Sequence, residues 1–411
     1  VLHAGLIRAG LDPFTAGYLI AVSSVVLLVI GVYALLRQLG AARWLALACG
    51  VLTLATQAAQ LSAVIIRADL LPAVLTVWGL ALTALMARRP PRALFILLPA
   101  AFFTLAWSAK ITTVFGPAAA CLMLLVARRR KEAFALGAAT AAGFLLVVVA
   151  TEVATGGRFL LNMRACARSG TTLADFVKAP IIMLRIITAK DPGALLFLAP
   201  AVALLTAEPR RALSGLPGLF FAAALLVTVV LFASPGIDYN HLLDLQIASV
   251  LLLGASVVRR DIPSGFGLHL LAIAALLSAA VVAIDFKDRG FNSRRAHMER
   301  AAAVADRAQH DGPMLSQDAL VPLQAGEPVV LPDAFMMHVL SQNDRACGDA
   351  LLRQIRSRRF RAVVLISDPA TQRDFLENRH FMPGFVAALE ERYAFAERVG
   401  PYRVYLPRPE P

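Results

Sequence analysis

The chain has 411 residues, of which 58% are hydrophobic and only 16% charged, with a mean hydropathy of +0.69 and a formal charge of +13. This balance excludes an ordinary soluble domain, in which about a quarter of the residues are charged. The basic surplus does not indicate nucleic-acid binding either, because the net positive charge arises mostly in short loops between apolar runs.

Ten apolar runs follow in order, near 14–36, 43–63, 70–87, 93–108, 111–127, 133–151, 193–207, 215–233, 242–258 and 266–284. A bilayer core of roughly 30 Å takes about 20 helical residues to cross, and helices satisfy their backbone polar groups within the segment, as lipid requires. The runs at 93–108 and 193–207 are short for this purpose. The expected fold class is an α-helical polytopic membrane protein of about ten spans, carrying a small α/β extracytoplasmic domain at its C-terminus. The transmembrane domain is expected over 1–285 and the soluble one over 286–411.

Orientation follows from charge. Every second loop is compact and basic: Arg37 and Arg43; Arg88, Arg89 and Arg92; Arg128, Arg129, Arg130 and Lys131; Arg210 and Arg211; Arg259 and Arg260. Such loops stay cytoplasmic, which places both termini and the C-terminal domain outside. Trp44 and Trp107 fall at span ends, where aromatic residues gather. The chain starts at Val1 without a signal peptide, and an outward N-terminus predicts one further helix upstream, for about eleven spans.

Cys49 and Cys121 lie inside spans, whereas Cys166 and Cys347 fall on the predicted outside, where a disulfide between them can persist. No cysteine or histidine spacing suggests a metal site. There is no phosphate-binding loop, dinucleotide fingerprint or nucleophile elbow, so neither metal nor cofactor is expected.

Function is expected where polar residues interrupt the trend of the chain, and that is in the predicted outer loops. Between the second and third runs stand Arg67 and Asp69, either an interfacial ion pair or a contact to a headgroup or phosphate. Lys110 lies in the tight turn Trp107–Thr113. It either snorkels to the interface or offers a compact positive charge to a phosphate. The segment 152–192 carries Arg158, Arg164, Arg168, Lys178, Arg185 and Lys190 against Glu152, Asp175 and Asp191. Its second half, Leu173 to Thr188, reads as an amphipathic helix in the interface plane, broken by Pro180. It is either a headgroup anchor or a lid over a site for an anionic lipid. Before the ninth run, Asp238, Asn240, His241 and Asp244 cluster, with Asn240 and Asp244 four apart on one helix face.

Beyond 286 the composition turns charged. Helices are predicted at 294–309, 347–358 and 384–392, short strands at 313–316 and 328–331, a buried strand at 361–366 and two terminal strands reaching Tyr405.

The chain resembles the polyprenyl-phosphate-sugar-dependent membrane glycosyltransferases of the GT-C class, and within it the bacterial branch acting on lipopolysaccharide and cell-wall sugars. Arg67-Ala68-Asp69-Leu70 is similar to that group's Arg-x-Asp element. Ser108-Ala109-Lys110 is similar to its Thr-Lys external turn, and Tyr239-Asn240-His241-Leu242-Leu243-Asp244 to its late Asn-aromatic-acidic element. Met314–Asp318 and Ala325–Val330 resemble the external tail of many members. His241 departs from the pattern, standing where an aromatic residue is common. Members carry their catalytic carboxylate in the first external loop, a region this sequence does not include, so the resemblance leaves the general base unassigned and implies an inactive chain without it. It implies a sugar donor on a polyprenyl phosphate, a lipid or polysaccharide acceptor, contact with membrane lipids, and a place in the bacterial inner membrane. Arg67, Asp69, Lys110, Arg164, Asn240, His241 and Asp244 are then the expected substrate-binding residues. A transporter or flippase is the alternative, and would need paired polar groups at mid-membrane depth; a non-catalytic scaffold is a third reading.

Overall fold

The computed structural model describes residues 2–64, 69–88, 93–167, 171–234, 237–260, 264–289, 291–307 and 312–409. Two compact units result, one of residues 1–156 and 171–285, the other of 157–170 and 286–411.

The first unit opens with α1 (Leu2–Arg8) and α2 (Pro13–Gln38), the latter begun by Asp12, whose carboxylate accepts the N–H groups of Phe14 and Thr15. Then come α3 (Arg43–Leu52), α4 (Gln57–Val64), α5 (Leu70–Arg88), α6 (Ala93–Ala109), α7 (Phe115–Val126) and α8 (Arg130–Ala154). After α9 (Arg158–Ala167), which belongs to the second unit, follow α10 (Leu173–Lys190), α11 (Leu195–Ala207), α12 (Pro209–Ala212), α13 (Leu216–Leu231), α14 (Leu243–Val258) and α15 (Ser264–Arg289). Among the described residues, four helices are long and apolar enough to span a membrane. One bent pair (α3 with α4, at 76°) and five shorter apolar helices accompany them. Together these fall on the ten apolar runs of the sequence, and the chain is a multi-pass membrane protein of helical fold.

Water does not drive helices together in lipid, so close backbone approach must. Phe103 of α6 is fully buried where α5, α6 and α7 meet. A Cβ on Gly79 would lie 2.5 Å from its ring, and one on Gly116 would lie 2.6 Å from Thr76. Glycine at these two positions is what lets the three helices close.

One expectation for the helical unit is corrected here. Pro180 does not break α10, which runs unbroken from Leu173 to Lys190. Pro180 removes one intrahelical hydrogen bond without ending the helix, and a capping box seals the helix start, with Asp175 accepting from Thr172 N–H and Oγ at 2.7 and 2.6 Å. Cys347 is a free thiol, and the side chain of Cys166 lies outside the described residues.

In the second unit, α16 (Phe291–Arg307) leads into β1 (Met314–Ser316), then α17 (Leu320–Gln324), α18 (Ala334–Asn343) and α19 (Arg345–Arg356). Next come β2 (Ala362–Leu365), α20 (Arg373–Phe375), α21 (Phe385–Arg392), β3 (Tyr393–Val399) and β4 (Tyr402–Pro407). The sheet order is β1-β2-β4-β3, with β1 and β2 parallel and the other pairs antiparallel. Val363 and Leu365 enter one core with Phe360, Phe381 and Phe385, while Ala362 and Val364 enter another with Val304, Tyr402 and Val404. Burial on both faces explains the continuous apolar run of β2. The strand expected at 328–331 is absent, because the parallel partner of β1 is β2 and Pro328 has no N–H to add to a ladder.

Candidate functional site

The turn after α6 is tight. The carbonyl of Lys110 accepts from Thr113 N–H at 3.2 Å and from Thr113 Oγ1 at 2.9 Å, and this closure turns the lysine side chain inward. Its ammonium lies 2.9 Å from Asp69 Oδ1, just before α5, and 3.8 Å from Asp244 Oδ2, in the first turn of α14. Asn240 stands in a 3-10 turn (Tyr239–Leu242) begun by Asp238, and its Nδ2 donates to Asp69 Oδ2 at 3.3 Å. The side chains of Lys110, Asp69 and Asp244 are 11%, 10% and 6% exposed.

Four of the seven expected residues thus converge from three separate loops, with Asn240 bonded to Asp69 across 171 positions of sequence. His241 lies in the same 3-10 turn, partly buried. Arg164 is exposed on α9, in the second unit. Arg67 lies outside the described residues. Among the described residues, one ammonium faces two carboxylates in a buried setting. That is expensive to keep, and ionisable groups at membrane depth are functional candidates for this reason.

A second polar centre escaped the sequence reading, which counted Asp191 only among the acidic residues of its loop. Asp191 is 1% exposed and accepts from Gln57 N–H, Ala58 N–H and Gln246 Nε2 at 3.3, 3.2 and 2.7 Å. The available signal was Gln57 and Gln246, two amides inside otherwise apolar runs. Among the described residues no group of His, Cys, Asp and Glu is placed to hold a metal ion.

At the other ends of these helices the charges are handled differently. Arg129 donates to Met86 O at 2.7 Å and pairs with Glu132 at 3.0 Å. Arg211 and Arg259 each donate to the other's carbonyl, at 3.3 and 2.5 Å, and Arg260 pairs with Glu208 at 3.2 Å.

No family model and no curated protein matches the chain. Among solved structures, ArnT from Cupriavidus metallidurans, determined with undecaprenyl phosphate bound, superposes with a TM-score of 0.56 at 13% identity. The match covers 95% of this chain and 83% of that one. At that identity the likeness speaks for architecture alone, and the chain has an ArnT-like polytopic membrane fold.

Proposed function

We propose that the protein is an integral-membrane glycosyltransferase that moves a sugar from a polyprenyl-phosphate carrier to a lipid or polysaccharide acceptor. The observation that carries this reading is the buried Lys110–Asp69–Asp244–Asn240 cluster, within a fold shared with a protein solved with undecaprenyl phosphate. The alternating basic loops support a bacterial inner-membrane protein with this cluster and the C-terminal domain on the extracytoplasmic side.

In the reaction, an acceptor hydroxyl attacks the anomeric carbon while the bond from that carbon to the phosphate oxygen breaks. The phosphate leaves with the electron pair, a carboxylate takes the hydroxyl proton, and the anomeric centre inverts. A lipid phosphate is already a fair leaving group, so the protein's main task is to stabilise the charge that develops on it. Lys110 serves that role, and Asp69 and Asn240 fix where its ammonium points. Asp244 and His241 line the same approach and contact sugar hydroxyls. Facing two carboxylates, Lys110 alone does not neutralise an arriving phosphate. Arg67, two residues before Asp69 in the sequence, is the further cation of this proposal.

Transfer from a labelled polyprenyl-phosphate sugar, measured with the full-length protein in liposomes, tests the reading. Lys110→Gln is expected to lower turnover by about 100-fold or more, the size of losing one preorganised charge-stabilising group, with the folded protein recovered as for wild type. Wild-type turnover in this variant removes Lys110 from the site. Absence of both transfer and undecaprenyl-phosphate binding in the wild-type protein removes the glycosyltransferase reading itself.

A further inference from the structure

Asp191 ends α10, and its buried carboxylate is a cap delivered to another helix. The first N–H groups of α4 have no partner within that helix, and Asp191 accepts two of them, from Gln57 and Ala58, while also holding Gln246 of α14. The adjacent Lys190 reaches both oxygens of Asp238 at 2.9 Å, with its ammonium 5.8 Å from the Tyr239 ring. One dipeptide therefore grips three segments. They are α4, which ends five residues before Asp69; the turn that carries Asn240; and α14, which carries Asp244.

The rest of α10 faces the other way. Leu173, Val177, Ile181 and Leu184 are 82%, 74%, 70% and 53% exposed, a stripe at helical spacing that suits contact with lipid tails. The helix thus presents an apolar face to lipid and, at its last residue, holds the segments that form the polar cluster.

We propose that Asp191, backed by Lys190, is a positioning residue that sets the geometry of the Asp69–Lys110–Asp244 cluster and couples it to the lipid-facing helix α10. The kinetic part of the test rests on the glycosyltransferase reading; the exchange part does not.

The substitutions are Asp191→Asn and Lys190→Gln in the full-length protein. Asp191→Asn is expected to lower kcat by roughly tenfold to 100-fold, as displacement of a catalytic group by about 1 Å does, with the KM for the donor held within about twofold. In an Asp69→Asn background the same substitution is expected to add little, because residues that act as one unit are non-additive. A purely structural cap would cost the same factor in both backgrounds, and that result overturns the proposal. Amide exchange over 239–246 is expected to rise in Asp191→Asn at an unchanged thermal midpoint; unchanged protection there also overturns it. Should Asp191→Asn fail to fold, Lys190→Gln carries the same measurements on an exposed pair, with a loss in kcat of about threefold and the same rise in exchange expected. A wild-type protein without transfer activity defeats the enzyme reading and leaves the exchange result to decide the positioning.

Discussion

α5 and α14 each begin at the polar cluster and end among arginines, so the helical unit has two ends that can be compared directly. At the arginine end the guanidiniums are met by neighbouring carbonyls and by Glu132 and Glu208, and Arg211 and Arg260 remain 51% and 48% exposed. At the other end, among the described residues, the Lys110 ammonium is 11% exposed and faces two carboxylates. The same formal charge does different work at the two ends. Exposed pairs contribute little to stability and serve to anchor a loop to its side of the membrane. A buried cluster of ionisable groups is instead a functional candidate by default.

This contrast can be broken by substitution, and the largest effect is expected at Lys110. Lys110→Gln should lower sugar transfer by about 100-fold or more in the liposome assay. Asp69→Asn should cost about tenfold in kcat, since it weakens a charge-assisted bond worth roughly 1.5–3 kcal/mol; a rate within about twofold of wild type would show that Asp69 does not orient the lysine. The double substitution Arg211→Gln with Arg259→Gln should leave transfer within about twofold and stability within about 1 kcal/mol, read by turnover and thermal unfolding. A large loss of transfer there would erase the distinction between the two ends.

The smallest effect is expected in the soluble unit. His380 Nδ1 accepts from Gln317 Nε2 at 2.7 Å, and Gln317 is held in that sense because its Oε1 accepts from Ile366 and Ser367 N–H. Burial lowers the His380 pKa from its ordinary 6.5. The neutral ring is therefore the native form, and its contribution is present above about pH 6.5 and lost as pH falls through the lowered value. The protection of amides at 314–318 and 366–380, relative to their intrinsic exchange rates, should fall on acidification, and His380→Gln should flatten that dependence.

Much of this architecture was legible because lipid imposes a simple rule on composition. Apolar length and the spacing of basic loops located the apolar helices, including the bent α3–α4 pair, which the sequence presents as one run. Asp69, Lys110, Asn240 and Asp244 were legible as polar residues in the wrong place. Their convergence was not, since it depends on glycine-mediated approach of α5, α6 and α7 at Gly79 and Gly116. Asp191 was missed because its partners are two backbone N–H groups exposed by a helix break, and a break inside an apolar run leaves little mark on hydropathy. The irregular path at 328–331 was misread for a related reason, because short apolar stretches do not declare their period.

Binding of undecaprenyl phosphate to the purified full-length protein, followed as thermal stabilisation in detergent, tests the central claim most directly. The account predicts saturable stabilisation of wild type and of Arg211→Gln with Arg259→Gln, and an affinity reduced by about tenfold or more in Lys110→Gln, in line with the loss of one charge-assisted contact. Equal affinity in Lys110→Gln, or a loss confined to the arginine variant, would contradict it.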